Sequence, residues 1–111
     1  MKLNINDRLN IIDCLPSSSD FKTINICKEI ISKVLIDKKE QKEIGMTKSI
    51  IQGNTNYNWN SDKEKEKNIE FGINELGFLR KQIDRLDKEK KITLNNIDSY
   101  NKIMTFKGVK I

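Results

Sequence analysis

Two pairs of acidic side chains are the residues of this sequence that come closest to a chemically active arrangement. Glu40 and Glu43 form one pair and Asp84 and Asp87 form the other, and the members of each pair are three residues apart. Side chains at this spacing share one face of a helix, and paired carboxylates bind hard cations such as Ca²⁺ or Mg²⁺. Lysine or arginine flanks both pairs, however, which is typical of a solvated helix surface. The sequence therefore predicts no metal site and no cofactor.

The usual catalytic sets are missing from the sequence. It contains no histidine, which removes the Ser-His-Asp and Cys-His relays, His-containing zinc sites and the usual general base near neutral pH. Its two cysteines cannot form a four-cysteine zinc site, and its five glycines form neither GxGxxG nor GxxxxGK[ST]. We therefore expect a non-enzymatic protein without catalytic residues.

The two cysteines, Cys14 and Cys27, both lie among isoleucines. Such surroundings favour buried free thiols over a disulfide. The first ten residues lack the apolar core of a signal peptide, and no apolar run approaches the roughly 18 residues of a membrane span. The expected location is the cytoplasm, with no membrane partner.

Net charge is +5, and basic and acidic side chains alternate along the chain without a basic cluster. The 21 basic residues include only three arginines, Arg8, Arg80 and Arg85. Arginine is the preferred side chain for bidentate contacts with bases and phosphates. The composition therefore argues against sequence-specific DNA binding, although folding could still gather lysines into a patch.

Apolar periodicity predicts a single, mainly α domain of the α+β class, with four to five helices and one small β-hairpin. A chain of 111 residues is long enough for one domain, and the 36% of hydrophobic residues predicts a thin core. The predicted segments are a helical part at 1–45, the hairpin at 46–60, a charged connector at 61–68 and a second helical part at 69–106.

Three helices are predicted in the first segment. Asn6 or Asp7 can cap a short helix that Pro16 terminates. Asp20 precedes a helix expected over residues 21–36, and Asp37 precedes a short helix over 38–44.

The hairpin and the later helices follow from turn signals and apolar spacing. Gly53-Asn54-Thr55-Asn56 reads as a turn between two β-prone runs. Apolar residues from Ile73 to Leu86 predict a helix over 72–90, and Thr93 can cap a last helix. The tail, residues 106–111, has strand character.

Several short motifs carry a resemblance to a known group of proteins. They are Arg8-Leu9, Leu15-Pro16, Phe21-Lys22-Thr23, Trp59 after a hairpin, Glu70-Phe71-Gly72, and Leu86-Asp87-Lys88-Glu89 before Thr93 and Tyr100. With these motifs the chain resembles short phage- and prophage-encoded helical proteins of low-GC bacteria. The group has no established activity to transfer to individual residues. The resemblance implies a mobile genetic element, action in the host cytoplasm and an accessory role such as inhibition of a host defence system.

Four residues are the candidates for partner binding: Lys48, Tyr57, Trp59 and Phe78. Tyr57 and Trp59 are two apart, so on a strand they share one face, and tyrosine and tryptophan are enriched at interface hot spots. Trp59 could equally be the core residue that joins the hairpin to the helices. Phe78 widens the apolar stripe of helix 72–90, which a homodimer or a complete monomeric core could cover.

The leading functional prediction is a stoichiometric protein-binding inhibitor or adaptor of phage type, for example an anti-CRISPR or other anti-defence protein. The alternative is a winged-helix-like nucleic-acid-binding regulator, in which helix 38–44 would be the recognition helix and Lys48 on the wing would contact phosphate. The balanced charges of 38–44 suit a DNA groove poorly.

Overall fold

Five α-helices and two antiparallel two-stranded sheets make up residues 1–108, the part of the chain that the computed structural model describes. The mainly helical α+β fold is confirmed. The elements are, in chain order, β1 (Lys2–Leu3), α1 (Ile5–Asp13), α2 (Phe21–Val34), α3 (Lys38–Glu43), β2 (Thr47–Ile51), β3 (Asn54–Asn58), a 3-10 turn (Ser61–Lys63), β4 (Lys67–Asn68), α4 (Ile73–Lys88) and α5 (Ile97–Thr105).

Helix α1 begins earlier than the sequence predicted. Asn4 is the cap: its side chain accepts a hydrogen bond from the backbone N–H of Asp7 at 2.8 Å, and the Asp7 carboxylate accepts one from the N–H of Asn4 at 3.0 Å. This reciprocal capping box satisfies two N–H groups that the helix cannot. The predicted caps, Asn6 and Asp7, are wrong because both residues already lie inside the first turn.

The other predicted caps of the first segment are correct. Asp20 accepts a hydrogen bond from the backbone N–H of Thr23 at 2.7 Å, and Asp37 accepts one from that of Glu40 at 2.8 Å. Helix α2 ends two residues before the predicted boundary, because the backbone of Leu35 turns away from the helix at ψ 136°.

Two apolar clusters form the core. The larger one unites α1, α2, α4 and α5 with residues of the chain beside β1 and β4, and α4 contributes the predicted stripe of Leu76, Leu79, Ile83 and Leu86. Ile73, the first residue of that predicted stripe, is instead 53% exposed. The smaller cluster consists of Ile5, Ile36 and Ile44, with Leu9, Met46 and Trp59 packed against it.

Segment 61–68, predicted as a charged connector, contains a strand that the sequence did not reveal. Lys67–Asn68 pairs with Lys2–Leu3, and the N-terminal ammonium donates to Asn68 Oδ1 at 2.9 Å. Leu3 within this pairing and Ile69 directly after it are both buried. A strand of two residues is too short to show a periodic pattern in the sequence. The pairing depends on the burial of Leu3 and Ile69, which are far apart in the sequence.

Arg8 is fully buried and connects three helices. Its Nε donates to the carbonyl of Val34 at 2.9 Å and its Nη2 to that of Leu35 at 2.6 Å, at the end of α2. Its guanidinium also forms a two-point ion pair with Glu40 of α3, at 2.5 and 2.9 Å. The guanidinium of Arg8 therefore holds α1, the end of α2 and α3 together.

Cys14 and Cys27 are free and buried, as predicted. Burial raises the pKa of the Cys14 thiol to about 12. Within residues 1–108, the structure contains no group of three or more metal-ligating side chains, and none of the helices in that range has the length and apolarity needed to cross a membrane. Residues 106–108 of the predicted C-terminal strand are irregular, and the rest of it lies outside the described residues.

Candidate functional site

The hairpin formed by β2 and β3 projects from the helical body. Gln52 and Gly53 form its two-residue turn with φ values of 52° and 80°, the positive pair that defines a type I′ turn. The turn predicted at residues 53–56 is therefore wrong by one residue at its start, and Asn54 to Asn56 belong to β3.

Both faces of this hairpin are exposed. Of its ten strand residues only Ser49 is half-buried, and Ile50 and Ile51 are 71% and 59% exposed. A hairpin that covers a core alternates buried and exposed residues, and this one does not. Its strands are therefore not needed to fill the core.

The base of the hairpin is nevertheless firmly held. The N–H of Met46 donates to the carbonyl of Gln41, and that of Asn60 to the carbonyl of Ile44, both at 2.8 Å. Trp59 packs against the smaller apolar cluster, and its Nε1–H donates to Glu64 at 3.3 Å. The hairpin is therefore an exposed arm on a fixed base.

Glu64 connects this base to the start of α1. Its second carboxylate oxygen accepts a hydrogen bond from the backbone N–H of Ile5 at 2.6 Å, one of the N–H groups that a helix leaves without a partner at its N-terminus. The side chain of Trp59 and the first turn of α1 are thus held by the same carboxylate.

A cleft of about 600 Å³ lies between the hairpin and α1. The hairpin side is lined by Thr55, Asn56, Tyr57 and Trp59, and the opposite side by α1 and the turn before α5. Tyr57 is 40% exposed. The cleft therefore combines two aromatic rings from the hairpin with a rigid helical wall.

The helical wall is fixed by a polar seam between α1 and the turn before α5. The side-chain amides of Asn6 and Asn10 both donate to the carbonyl of Asn95 at 3.3 Å, and Asn10 also donates to Ser99 Oγ at 3.0 Å. Ser99 in turn donates to the buried carboxylate of Asp7 at 2.7 Å. The seam positions Asn95 beside α1, where it lines the cleft.

The chemistry of the lining is polar and nearly uncharged. Four asparagines line it, Asn6, Asn10, Asn56 and Asn95, and asparagine amides can both donate and accept hydrogen bonds. Asp13 is the charged residue among the described lining residues, and desolvation raises the pKa of its carboxyl group. Neither lysine nor arginine lines the cleft within the described part of the chain.

The structure brings three of the four candidate residues together. Lys48 is paired directly with Tyr57 across the hairpin, so both side chains lie on one face. Trp59 comes directly after β3 and lines the cleft together with Tyr57. Phe78 lies on α4, packs against the larger cluster and is not among the residues that line the cleft.

Sequence reasoning missed the asparagines of the cleft. Asn6 and Asn10 are four residues apart in α1, a spacing that places them on one face of the helix, and this signal was present in the sequence. Asn95 had no such signal, because its place beside Asn10 depends on contacts across 85 residues.

Comparison with protein-family models, with curated proteins and with solved structures gave no match. The function is therefore inferred from the site itself.

Proposed function

We propose that this chain is a non-enzymatic binding protein of phage type, which engages another protein through the β2–β3 hairpin and the adjoining cleft and thereby inhibits or adapts it. The observation that carries the proposal is the hairpin itself, whose strands stand exposed on a fixed base, with Ile50 on the same face as Tyr57 and Ile51 exposed on the opposite face. Exposed apolar side chains grouped on one element are typical of protein-interaction surfaces.

The lining of the cleft supports a partner rather than a substrate to be converted. Asp13 is the one carboxylate among its described lining residues, so the cleft holds no carboxylate pair for acid–base work. The sequence resemblance to phage proteins favours an anti-defence role, such as an anti-CRISPR activity in the host cytoplasm.

The charges favour a protein partner over nucleic acid. Nucleic-acid binding depends on lysine and arginine at the phosphates, and the described lining has neither. On α3, the helix that a winged-helix interpretation would place in the groove, Glu40 is held by the buried Arg8. Lys48 alone represents a basic contact on the hairpin face.

The experiment that tests the proposal is a pull-down from host lysate with two matched variants, each performed with and without nuclease. Ile50→Ser changes an isoleucine that is 71% exposed on the hairpin face of Tyr57, and Ile73→Ser changes an isoleucine of α4 that is 53% exposed. We expect the wild-type chain and Ile73→Ser to retain the same protein after nuclease treatment, and Ile50→Ser to lose it.

Two results would overturn the proposal. Equal recovery of the partner by both variants would show that the hairpin is not the contact surface. Recovery of nucleic acid, with every protein lost after nuclease, would favour the winged-helix alternative instead.

A further inference from the structure

We infer that the occupant of the cleft is an extended segment of the partner protein, free of acidic side chains, which adds to the edge of β3 as a third strand. This inference rests on the proposed function, because it specifies how a protein partner is held at the same site. It follows from the backbone of the hairpin, the lack of edge protection and the polarity of the lining.

The hairpin register fixes which backbone groups face the cleft. With a two-residue turn, Ile51 and Asn54 form a hydrogen-bonded pair, and the alternation continues to Ser49 with Asn56. Thr55 and Tyr57 fall between these pairs, so their N–H and C=O groups point away from β2. Both residues line the cleft, and within residues 1–108 no other protein group hydrogen-bonds to these four backbone groups.

The edge of β3 also lacks the usual protection against strand addition. Proteins shield exposed edges with lysine, proline, bulges or covering elements. The sequence of β3, NTNYN, contains neither lysine nor proline. The other strand, β2, carries Lys48 as its second residue. An unpaired edge that opens into a cleft is the arrangement used in recognition by strand addition.

The lining limits the side chains that the added strand can carry. Asp13 would repel an acidic residue, and the described lining offers no cation to offset it. Leu9, Ile12 and Tyr57 give apolar contacts for alternate side chains of a strand, while Asn6 and Asn95 provide amide groups. The occupant is therefore an extended segment of alternating apolar and neutral or basic residues.

The test is a set of three single substitutions that separate the backbone of β3 from its side chains. Thr55→Pro removes an outward N–H without touching the hydrogen bonds to β2, a position where an edge strand tolerates proline. Thr55→Val keeps that N–H and replaces the hydroxyl group with a methyl group of similar size. Lys48→Pro is the matched control, because the N–H of Lys48 faces outward on the opposite edge of the hairpin.

The probe is a phage-displayed library of random peptides of about seven residues, long enough to span β3. Peptides selected on the wild-type chain are then measured against each variant, with the melting curve of each variant recorded. We expect Thr55→Val and Lys48→Pro to bind like the wild type, and Thr55→Pro to bind about tenfold more weakly because one main-chain hydrogen bond is lost. Amide hydrogen exchange of Thr55 and Tyr57 should slow when the peptide binds, and that of Lys48 and Ile50 should not.

Four results of the peptide and exchange measurements would overturn the inference, and one result of sedimentation would do so as well. The four are equal binding of Thr55→Pro and wild type, unchanged exchange at Thr55 and Tyr57, selection of acidic peptides, and the absence of any selected peptide. Sedimentation showing a wild-type dimer that Thr55→Pro dissociates would identify the occupant as a second copy of this chain, which also contradicts a partner segment. If Thr55→Pro melts early, the exchange measurement on the wild type decides alone.

Failure of this inference is distinguishable from failure of the proposed function. If Ile50→Ser loses the lysate partner while Thr55→Pro retains it, the hairpin binds a protein through side chains and not through strand addition. If neither substitution affects partner capture, the hairpin is not the binding surface.

Discussion

At the scale of single residues, buried charge determines how the helices are arranged. Arg8 donates to two carbonyls at the end of α2 and holds Glu40 of α3 in a two-point ion pair. The guanidinium satisfies backbone carbonyls at the C-terminal end of α2 and, through Glu40, fixes the position of α3 relative to α2. The packing beneath the hairpin therefore depends on one side chain from α1.

Substitution of Arg8 should destabilise the protein strongly. Arg8→Ala leaves two carbonyls and the Glu40 carboxylate without their donor, and we expect the free energy of unfolding to fall by about 3–5 kcal/mol. Urea denaturation measures the change. Arg85→Ala is the control: it removes an exposed ion pair with Glu89 and should leave the unfolding midpoint almost unchanged. A similar small effect for both substitutions would show that the Arg8 network is not stabilising.

The buried thiol of Cys14 should make stability dependent on alkaline pH. Burial raises its pKa from 9.0 to about 12, so the folded state favours the protonated thiol. This contribution to stability is complete below the unfolded pKa near 9.0 and is lost as the pH rises toward about 12. The difference in unfolding free energy between wild type and Cys14→Ala should therefore shrink over that range.

The same burial predicts that Cys14 is unreactive at neutral pH. A thiolate, not a thiol, attacks an aromatic disulfide reagent, so Cys14 should react with the reagent only after denaturant is added. Rapid reaction of Cys14 in the folded protein would contradict the burial that the structure shows.

At the scale of elements, the hairpin has an exposed arm and a buried base, and two aromatic residues mark the boundary between them. Tyr57 is 40% exposed on the arm, whereas Trp59 packs against Ile5, Ile36 and Ile44. Of the two interpretations that the sequence left open for Trp59, its packing supports the structural one, and its position in the cleft lining leaves a binding role as a prediction.

Alanine substitutions of these two aromatics should separate stability from binding. Trp59→Ala opens space in the smaller cluster, and we expect a loss of about 2–3 kcal/mol, less than for a fully buried tryptophan. Tyr57→Ala should change stability by less than about 0.5 kcal/mol and abolish capture of the partner. Thermal melting and pull-down, measured on both variants, test the division. Unchanged melting for Trp59→Ala would contradict its place in the core.

The elements also show how far sequence can predict this fold. The helices were predictable because apolar spacing and the caps Asp20 and Asp37 are local signals, and Gly53 marked the hairpin turn. The pairing of β1 with β4 was not predictable, because it joins residues 2–3 to 67–68 through burial of distant side chains. For the same reason Asn95 could not be placed in the cleft, whereas Tyr57 and Trp59 were identified as candidates and the spacing of Asn6 and Asn10 marked one face of α1.

At the scale of the whole molecule, the net charge is +5, but the basic excess does not lie in the cleft. The described lining of the cleft carries one acidic residue and no basic one. This separation agrees with recognition of a protein segment, and it predicts that partner binding depends weakly on salt. A steep loss of affinity with added salt would indicate phosphate contacts instead.

The most direct test of the central claim is site-specific photocrosslinking in host lysate. A benzoylphenylalanine placed at position 57 should crosslink one protein, and the crosslink should disappear when Ile50→Ser is introduced on the same face or when unlabelled wild-type chain competes at stoichiometric amounts. The same group at position 73 of α4 should give no such product. Crosslinking of the same protein from position 73 and not from position 57 would contradict binding through the hairpin and its cleft.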